Sequence, residues 1–258
     1  MFCERVAPNV QRVSDGVVNC YLVEEGTDLT MVDSAWPRSW PDLQRLVASS
    51  GHRPEDVRAV LLTHGHADHM GSAEAARTGL GVPVHSHGAE VPRLTGAKKG
   101  GSSFALVPRL LPTLWHPTAW AFTIHAVRRG FLTPRWVGEV VSVSDGETVD
   151  VPGHPRLVFA PGHTEGHAAF HLADAGVLLS GDELATRDPL TGRRGPRLMP
   201  AALNDDQDAA RASLARIALI DAALILPGHG DPWTGTPAAA VEQARQADAG
   251  TDRGPGSA

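Results

Sequence analysis

The loop at residues 63–71 carries four side chains that can bind metal ions. Three are the imidazoles of His64, His66 and His69, and the fourth is the carboxylate of Asp68. Imidazole nitrogens and carboxylate oxygens suit zinc, manganese or iron. Three histidines and one aspartate at these spacings arise by chance only about 0.002 times in a chain of this composition. The pattern therefore predicts a metal site in this loop.

Three later segments offer further ligands of the same chemical types. His163 lies in a PGHT segment, Asp182 in SGD and His229 in PGHG, and each follows an apolar run. A catalytic metal usually takes three protein ligands and keeps an open position, so the first loop alone cannot complete two such sites. The glycine beside each residue lets the backbone approach a metal closely. We expect these residues to join the loop around two neighbouring ions.

Alternating strands and helices are predicted to position these segments, because α/β proteins build sites from the loops that follow their strands. The strands predicted in the first half lie at residues 17–23 and 29–32, as an opening hairpin, and at 59–62 and 82–84. Helices are predicted at residues 41–50, 73–77 and 206–217. The strands predicted in the second half lie at residues 140–143, 157–159, 168–172 and 177–179, all in hairpins, and at 223–226.

Residues 86–137 interrupt this succession. Five of their aromatic side chains stand among prolines and glycines: Trp115, Trp120, Phe122, Phe131 and Trp136. We interpret the segment as an insertion that either packs on the main body or covers the substrate as a lid, and the sequence leaves both open. Residues 1–249 are predicted to form one domain that includes the insertion, and residues 250–258 a disordered tail.

Composition and charge exclude several classes of partner. Of the 258 residues, 42% are hydrophobic, and no apolar run approaches the roughly 20 residues that cross a bilayer, so no membrane partner is expected. The first residues lack the apolar stretch of a secretory signal, and Cys3 and Cys20 make no disulfide framework, which predicts a cytoplasmic location. A net charge of −6 disfavours nucleic acid. The oligomeric state is not predicted.

The segments THGHADHMG, PGHTEGH, SGD and PGHG, in this order, resemble the metallo-β-lactamase superfamily. The resemblance spans Asp33 to Gly230. It implies an α/β fold, a four-layered αβ/βα sandwich with metals at one edge of its two sheets. It also implies two metal ions with seven protein ligands: His64, His66 and His163 for the first, Asp68, His69 and His229 for the second, and Asp182 as a bridge between them.

The chemistry implied by such a centre is hydrolysis. Two divalent cations, zinc with iron or manganese as alternatives, lower the pKa of a shared water so that hydroxide forms at neutral pH. The hydroxide attacks a carbonyl carbon while one metal polarises the carbonyl oxygen. Asp68 is the candidate catalytic residue, since it can move a proton to the leaving group. We therefore predict a hydrolase of a small-molecule thioester, ester or lactone.

Single residues indicate the branch of the family. Asp182 occupies a position where the lactam-hydrolysing branches carry cysteine or serine, so the chain is more similar to the thioesterase and lactonase branches. The oxygen-reducing di-iron branch has glutamate in place of His66. Quorum-quenching lactonases use a tyrosine near the oxyanion, but Tyr21, the one tyrosine of the chain, lies in the predicted first hairpin. Only 28 residues follow Gly230, whereas glyoxalase II enzymes carry a helical C-terminal extension.

Two other functions stay open. A mononuclear iron persulfide dioxygenase resembles the same loop motifs, and a metal-dependent nuclease is disfavoured by the acidic charge.

Two polar residues near the motifs also have two interpretations each. His167 either orients a ligand or packs beside the site, and Asp33 either orients a ligand histidine or caps the next turn. The remaining histidines are predicted to be surface or core residues: His52, His85, His87, His116, His125, His154 and His171.

Overall fold

The computed structural model describes residues 1–98, 107–133 and 135–251. Seven of its strands form the first sheet, in sequence order: β1 (Phe2–Ala7), β2 (Val10–Ser14), β3 (Asn19–Glu25), β4 (Asp28–Val32), β5 (Val57–Leu61), β6 (Val84–His87) and β7 (Val141–Val143). The first four strands pair antiparallel through short turns, and the last three continue the sheet in parallel. Parallel pairing requires crossovers, which the helices supply: α1 (Trp40–Ser49), the single turn α2 (Ala67–Met70) and α3 (Ala73–Leu80).

The second sheet has five strands in the order β14-β13-β10-β9-β8. Its strands are β8 (Arg156–Phe159), β9 (Ala168–Leu172), β10 (Val177–Gly181), β13 (Leu224–Pro227) and β14 (Trp233–Thr234). Between β10 and its parallel neighbour β13 lie a small hairpin, β11 (Ala185–Arg187) with β12 (Arg194–Arg197), and α7 (Gln207–Ile217). The long helix α8 (Pro237–Thr251) follows the sheet.

Alternating side chains stack the two sheets face to face between helices. On β3, Tyr21 and Val23 enter the core between the sheets, whereas Leu22 enters the core under α1 and α3. On β10, Leu179 faces the core between the sheets and Leu178 the core under α7 and α8. Because side chains of a strand point alternately to opposite faces, each sheet buries both of its faces. The predicted four-layered αβ/βα sandwich is confirmed.

In its described residues, the insertion contains three α-helices on the helical side of the first sheet. They are α4 (Val91–Leu94), α5 (Val107–Leu110) and α6 (Pro117–Arg128). Helix α6 buries Ala119, Phe122 and Ala126, and the Phe122 ring lies 6.2 Å from the ring of Trp36. The inner face of α6 is thus part of the core next to the first sheet.

Several sequence predictions require correction. Residues 140–143 are not in a hairpin, because β7 pairs in parallel with β6 across the whole insertion. The strand predicted at 82–84 lies at Val84–His87, and the hairpin at 17–32 is preceded by the unpredicted β1 and β2. Helix α8 was not predicted and continues to Thr251, and the remaining tail, 252–258, lies outside the described residues. No helix in the described part is long and apolar enough to cross a membrane.

Candidate metal centre

The seven predicted ligands meet at one edge of the sandwich. Each lies at or after the carboxyl end of a strand, where loops of neighbouring strands converge. They come from four loops: His64, His66, Asp68 and His69 after β5, His163 after β8, Asp182 after β10 and His229 after β13. All seven are buried.

The first group brings together ring nitrogens of three histidines. His163 Nε2 lies 2.9 Å from His66 Nδ1 and 3.2 Å from His64 Nε2. These distances are close to the separation of about 3.3 Å expected between two nitrogens of a tetrahedral zinc site with bonds of about 2.0–2.1 Å. The group has the donor set and spacing that a divalent cation requires.

The second group contains one carboxylate and two imidazoles. His229 Nε2 lies 3.3 Å from Asp68 Oδ2, and His69 Nε2 lies 3.8 Å from the same oxygen. Ligand atoms of these three residues lie within 4.8 Å of one another. The group can therefore hold a second cation.

Asp182 lies between the two groups. Its Oδ2 is 3.4 Å from His163 Nε2, and its Oδ1 is 3.5 Å from His69 Nε2. Asp182 Oδ1 and His69 Nε2 are also buried without a hydrogen-bond partner. A buried polar atom without a partner is costly, and a bound cation would satisfy both atoms. The residues present therefore fit a divalent cation.

The ionisation of the ligands favours the same interpretation. Burial lowers the pKa of His64 and His66 well below the usual value, so both imidazoles are neutral, as metal ligands must be. Burial also disfavours protonated His229, but the carboxylates of Asp182 and Asp68 outweigh it and raise its pKa to about 10. The carboxylates around His229 thus favour a positive charge at this position, which a bound cation would supply.

Hydrogen bonds from outside the groups fix the rings. Asp33 Oδ2 accepts a hydrogen bond of 2.8 Å from His69 Nδ1, and Asp33 Oδ1 accepts one from the Thr63 backbone. His163 Nδ1 donates to Asn204 Oδ1 at 2.7 Å. Such contacts set the tautomer and aim the opposite ring nitrogen at the site. Asp33 thus orients a histidine, whereas Asn204 was not predicted because no motif contains it.

Comparison with known proteins agrees with this geometry. A family model described as the metallo-beta-lactamase superfamily matches residues 13–229. The chain belongs to the metallo-β-lactamase superfamily. It is 26% identical to the probable metallo-hydrolase YflN of Bacillus subtilis over 89% of this chain and 86% of YflN. It is 30% identical to an uncharacterised protein of Mycobacterium tuberculosis over 84% of this chain and 87% of that protein.

Solved structures of the metallo-β-lactamase superfamily share the fold. A family protein from Thermus thermophilus superposes with a TM-score of 0.70 at 25% identity, over 95% of this chain and 81% of that one. A metallo-β-lactamase of Cronobacter sakazakii superposes with a TM-score of 0.67 at 17% identity, over 97% and 94% of the two chains. At that identity, the second likeness concerns the fold alone.

Two buried residues support loops in this metallo-β-lactamase superfamily member. His167 donates from Nδ1 to the Ala160 carbonyl and accepts the Asp182 backbone N–H on Nε2, at 3.1 Å. Burial lowers the pKa of His167 to about 3, which keeps the accepting nitrogen unprotonated. Tyr21 donates its hydroxyl to the Pro227 carbonyl at 2.7 Å. His167 therefore holds a ligand loop, and the one tyrosine lies between the sheets instead of near an oxyanion.

Glu90 is a supporting residue that the sequence analysis missed. Its carboxylate, fully buried, accepts hydrogen bonds from the Gly65 backbone at 2.8 Å, the Gly166 backbone at 2.8 Å and the Thr164 hydroxyl at 2.9 Å. These donors flank ligands of the first group, and Arg93 Nε lies 3.3 Å away. Burial raises the pKa of Glu90 despite these contacts. The feature of the sequence that could have indicated Glu90 is its position shortly after the strand predicted at residues 82–84.

Gly228 allows the ligands to approach each other. A Cβ atom at this position would lie 2.1 Å from Asp182 Oδ1 and 2.7 Å from His69 Cε1. Both distances are far below van der Waals contact, so no larger residue fits without displacing a ligand. The PGHG segment predicted this role of glycine.

A narrow pocket lies above the ligands. Apolar side chains form its walls: Trp36, Leu110, Phe122, Phe131, Met199 and Leu203. Its floor is formed by ligand residues of both groups. The cavity measures about 20 Å³, which is about the space of one water molecule, so a substrate can enter only if side chains of the walls move. The insertion supplies Leu110, Phe122 and Phe131, so it both packs on the main body and covers the site.

Proposed function

We propose that this protein hydrolyses a thioester, ester or lactone with a small, uncharged acyl group. The reaction uses two divalent cations, and zinc is the metal that we favour. The observation that carries the proposal is the position of Asp182 between two three-residue ligand groups at the floor of an apolar pocket. Paired sites of this kind are suited to attack by water on a carbonyl group.

Bound cations would supply a water of lowered pKa and would polarise the carbonyl oxygen. The chain supplies the rest of the chemistry. Asp68 lines the pocket, and its side chain is slightly exposed there, with Oδ2 directed at His229 Nε2. A carboxylate in this position can accept a proton from the attacking water and pass it to the leaving oxygen or sulfur. The fixed rings of His69 and His163 keep the floor rigid during the reaction.

The pocket walls support an uncharged acyl group. No lysine or arginine lines the cavity among the described residues. A substrate with a carboxylate beside the scissile bond, such as a β-lactam antibiotic, would find no cationic side chain on these walls and could pair only with the bound cations. Trp36, Phe122 and Phe131 instead offer apolar contact and exclude water.

The test combines metal analysis with a panel of substrates. Protein purified without chelator is analysed for zinc, iron and manganese, and then assayed on acyl thioesters, esters and lactones that differ in acyl length. We expect close to two metal ions per chain and turnover that chelator abolishes and metal restores. Turnover of no acyl substrate by the loaded protein would overturn the proposal. One iron per chain with sulfite formed from a persulfide would assign the protein to the dioxygenases instead.

A further inference from the structure

The insertion has a charge opposite to that of the whole chain. Between Glu90 and Glu139 there is no aspartate or glutamate, and the stretch contains seven of the 23 lysines and arginines. The stretch between these two glutamates, residues 91–138, therefore has a net charge of +7, whereas the rest of the chain has a net charge of −13. Arg128 and Arg135 are exposed, and neither has an acidic partner in the part of the chain that the structure describes.

The same segment holds most of the exposed large apolar side chains. The described residues include eleven of them, and eight lie between Val107 and Trp136. Trp115 is 83% exposed, and Leu111 and Trp120 are more than half exposed. Exposed apolar residues that cluster in this way mark an interaction surface, whereas scattered ones have no such meaning.

Helix α6 places part of this cluster on one face. Trp120, Ile124 and Val127 follow one another at helical spacing and are exposed, and Phe122 and Ala126 on the opposite side are buried. The exposed basic residue Arg128 follows directly at the end of the helix. A helix with tryptophan and aliphatic residues on its outer face and basic residues nearby is typical of peptide segments that lie in a membrane interface.

We propose that the outer face of the insertion, formed by Leu111, Trp115, Trp120, Ile124 and Val127 with Arg128 and Arg135, docks on a lipid surface that carries anionic headgroups. The apolar side chains enter the boundary between headgroups and acyl chains, where tryptophan is favoured. The guanidinium groups remain at the level of the phosphates. This docking differs from membrane spanning, and it does not depend on the proposed hydrolytic function.

A second copy of the chain fits this face less well. In a twofold dimer the face would meet itself, so that Arg128 and Arg135 of one copy would approach the same cations of the other. Like charges at an interface are unfavourable. An anionic lipid surface has the opposite charge and offers the apolar layer that tryptophan requires.

Vesicle binding tests the proposal on the full-length protein. Vesicles of phosphatidylcholine alone are compared with vesicles that contain roughly one-third phosphatidylglycerol. We expect sedimentation with the anionic vesicles only, weakened by salt, and quenching of tryptophan fluorescence by brominated lipid. No binding to anionic vesicles, or equal binding to both kinds, would overturn the proposal.

Variants assign the binding to this face. The double variant Trp120→Ser and Ile124→Ser should bind at least about tenfold more weakly. The double variant Arg128→Gln and Arg135→Gln should lose about 25-fold, at about fivefold per arginine. Leu219→Ser is the matched control, because Leu219 is 85% exposed but follows the end of α7, and its neighbours Ala218 and Ile220 pack on the core under the second sheet.

Two further results would count against the proposal. One is a loss of vesicle binding in the Leu219→Ser control as large as that in the Trp120 and Ile124 double variant. The other is a lipid-free dimer that the Trp120 and Ile124 variant converts to a monomer in sedimentation velocity, since the face would then bind a second copy. Thermal unfolding of each variant shows whether a loss of binding is caused by a loss of folding.

Discussion

Glu90 Oε1 accepts a hydrogen bond of 2.8 Å from the backbone N–H of Gly65, which lies between the candidate ligands His64 and His66. The other oxygen of the same carboxylate accepts the backbone N–H of Gly166, close to His163. One buried side chain therefore connects two ligand loops that are far apart in the sequence.

Replacement of Glu90 should weaken metal binding without changing any ligand. In Glu90→Gln one carboxylate oxygen becomes an amide that cannot accept, so one ligand loop loses its support. We expect metal affinity to fall about 10- to 100-fold, measured by competition with a chelator. Glu74→Gln is the control, because Glu74 bonds Arg77 on the surface of α3. Equal metal affinity in Glu90→Gln and wild type would contradict the role assigned to Glu90.

Asp182→Ala should remove the side chain that lies between the two candidate ligand groups. We expect less metal per chain by elemental analysis and a loss of activity by orders of magnitude, since under the proposed function both cations would lose a ligand. Asp174→Ala, at an exposed turn, should change neither quantity. Unchanged metal content and turnover in Asp182→Ala would show that Asp182 is not a bridging ligand.

Gly228→Ala tests the close approach of the ligands. The added methyl group would meet Asp182 Oδ1 and His69, and displacement of a reacting group by about 1 Å can cost about 100-fold in rate. We expect a loss of that order in turnover together with reduced metal content. Gly79→Ala is the comparison, because its Cβ would meet no atom closer than 3.9 Å in α3. A fully active Gly228→Ala enzyme would refute the steric argument.

Asp15 should stabilise the fold only above acidic pH. Its buried carboxylate contacts His125 Nε2 of α6 at 2.6 Å and accepts the Trp36 indole N–H at 3.0 Å. Burial alone would raise the pKa of Asp15, but the hydrogen bonds from His125 and from backbone N–H groups outweigh it and lower the pKa. The stabilisation is thus present above the unfolded pKa of about 3.9 and is lost as pH falls through the lower folded pKa.

The variant Asp15→Asn makes this pH dependence measurable. Urea unfolding at pH 6 to 8 should show a free energy of unfolding about 2 kcal/mol below that of wild type. The difference should shrink as pH falls from about 4, where the unfolded carboxyl begins to bind a proton, to the lowered folded pKa, where the native wild-type carboxyl is protonated too. Asp174→Asn should show no difference at any pH. A deficit that persists unchanged in acid would mean that the charge of Asp15 contributes nothing.

Phe122 should limit the size of the acyl group. Phe122→Leu shortens one wall of the pocket and lowers stability, because the smaller side chain leaves a cavity. We expect kcat/KM for branched or longer acyl substrates to rise about tenfold relative to the shortest one, because a few methylene groups gain contact. Phe159→Leu is the control, since Phe159 stacks on His87 outside the pocket. An unaltered ratio in Phe122→Leu would exclude this wall as a determinant of specificity.

The sequence by itself determined the candidate ligand set and most of the central strands. His64 to His69 fall within six residues, so their types and spacing are visible without a fold. Strands β3, β5 and β9 were predicted because buried strands are apolar over four or more residues. Strand β1 and helix α8 were missed. Strand β1 is largely exposed, and α8 buries few apolar residues, which are small, among them Ala240 and Ala244.

Only the tertiary structure decided which residues support the ligands and cover them. Glu90 lies 25 residues from Gly65 and 76 from Gly166, and no local pattern encodes hydrogen bonds over such distances. The pairing of β7 with β6 likewise spans the whole insertion. The type and spacing of residues in one segment indicate what their side chains can bind. The contacts that a side chain makes depend on how distant segments pack, and the periodicity of a sequence gives no information about that packing.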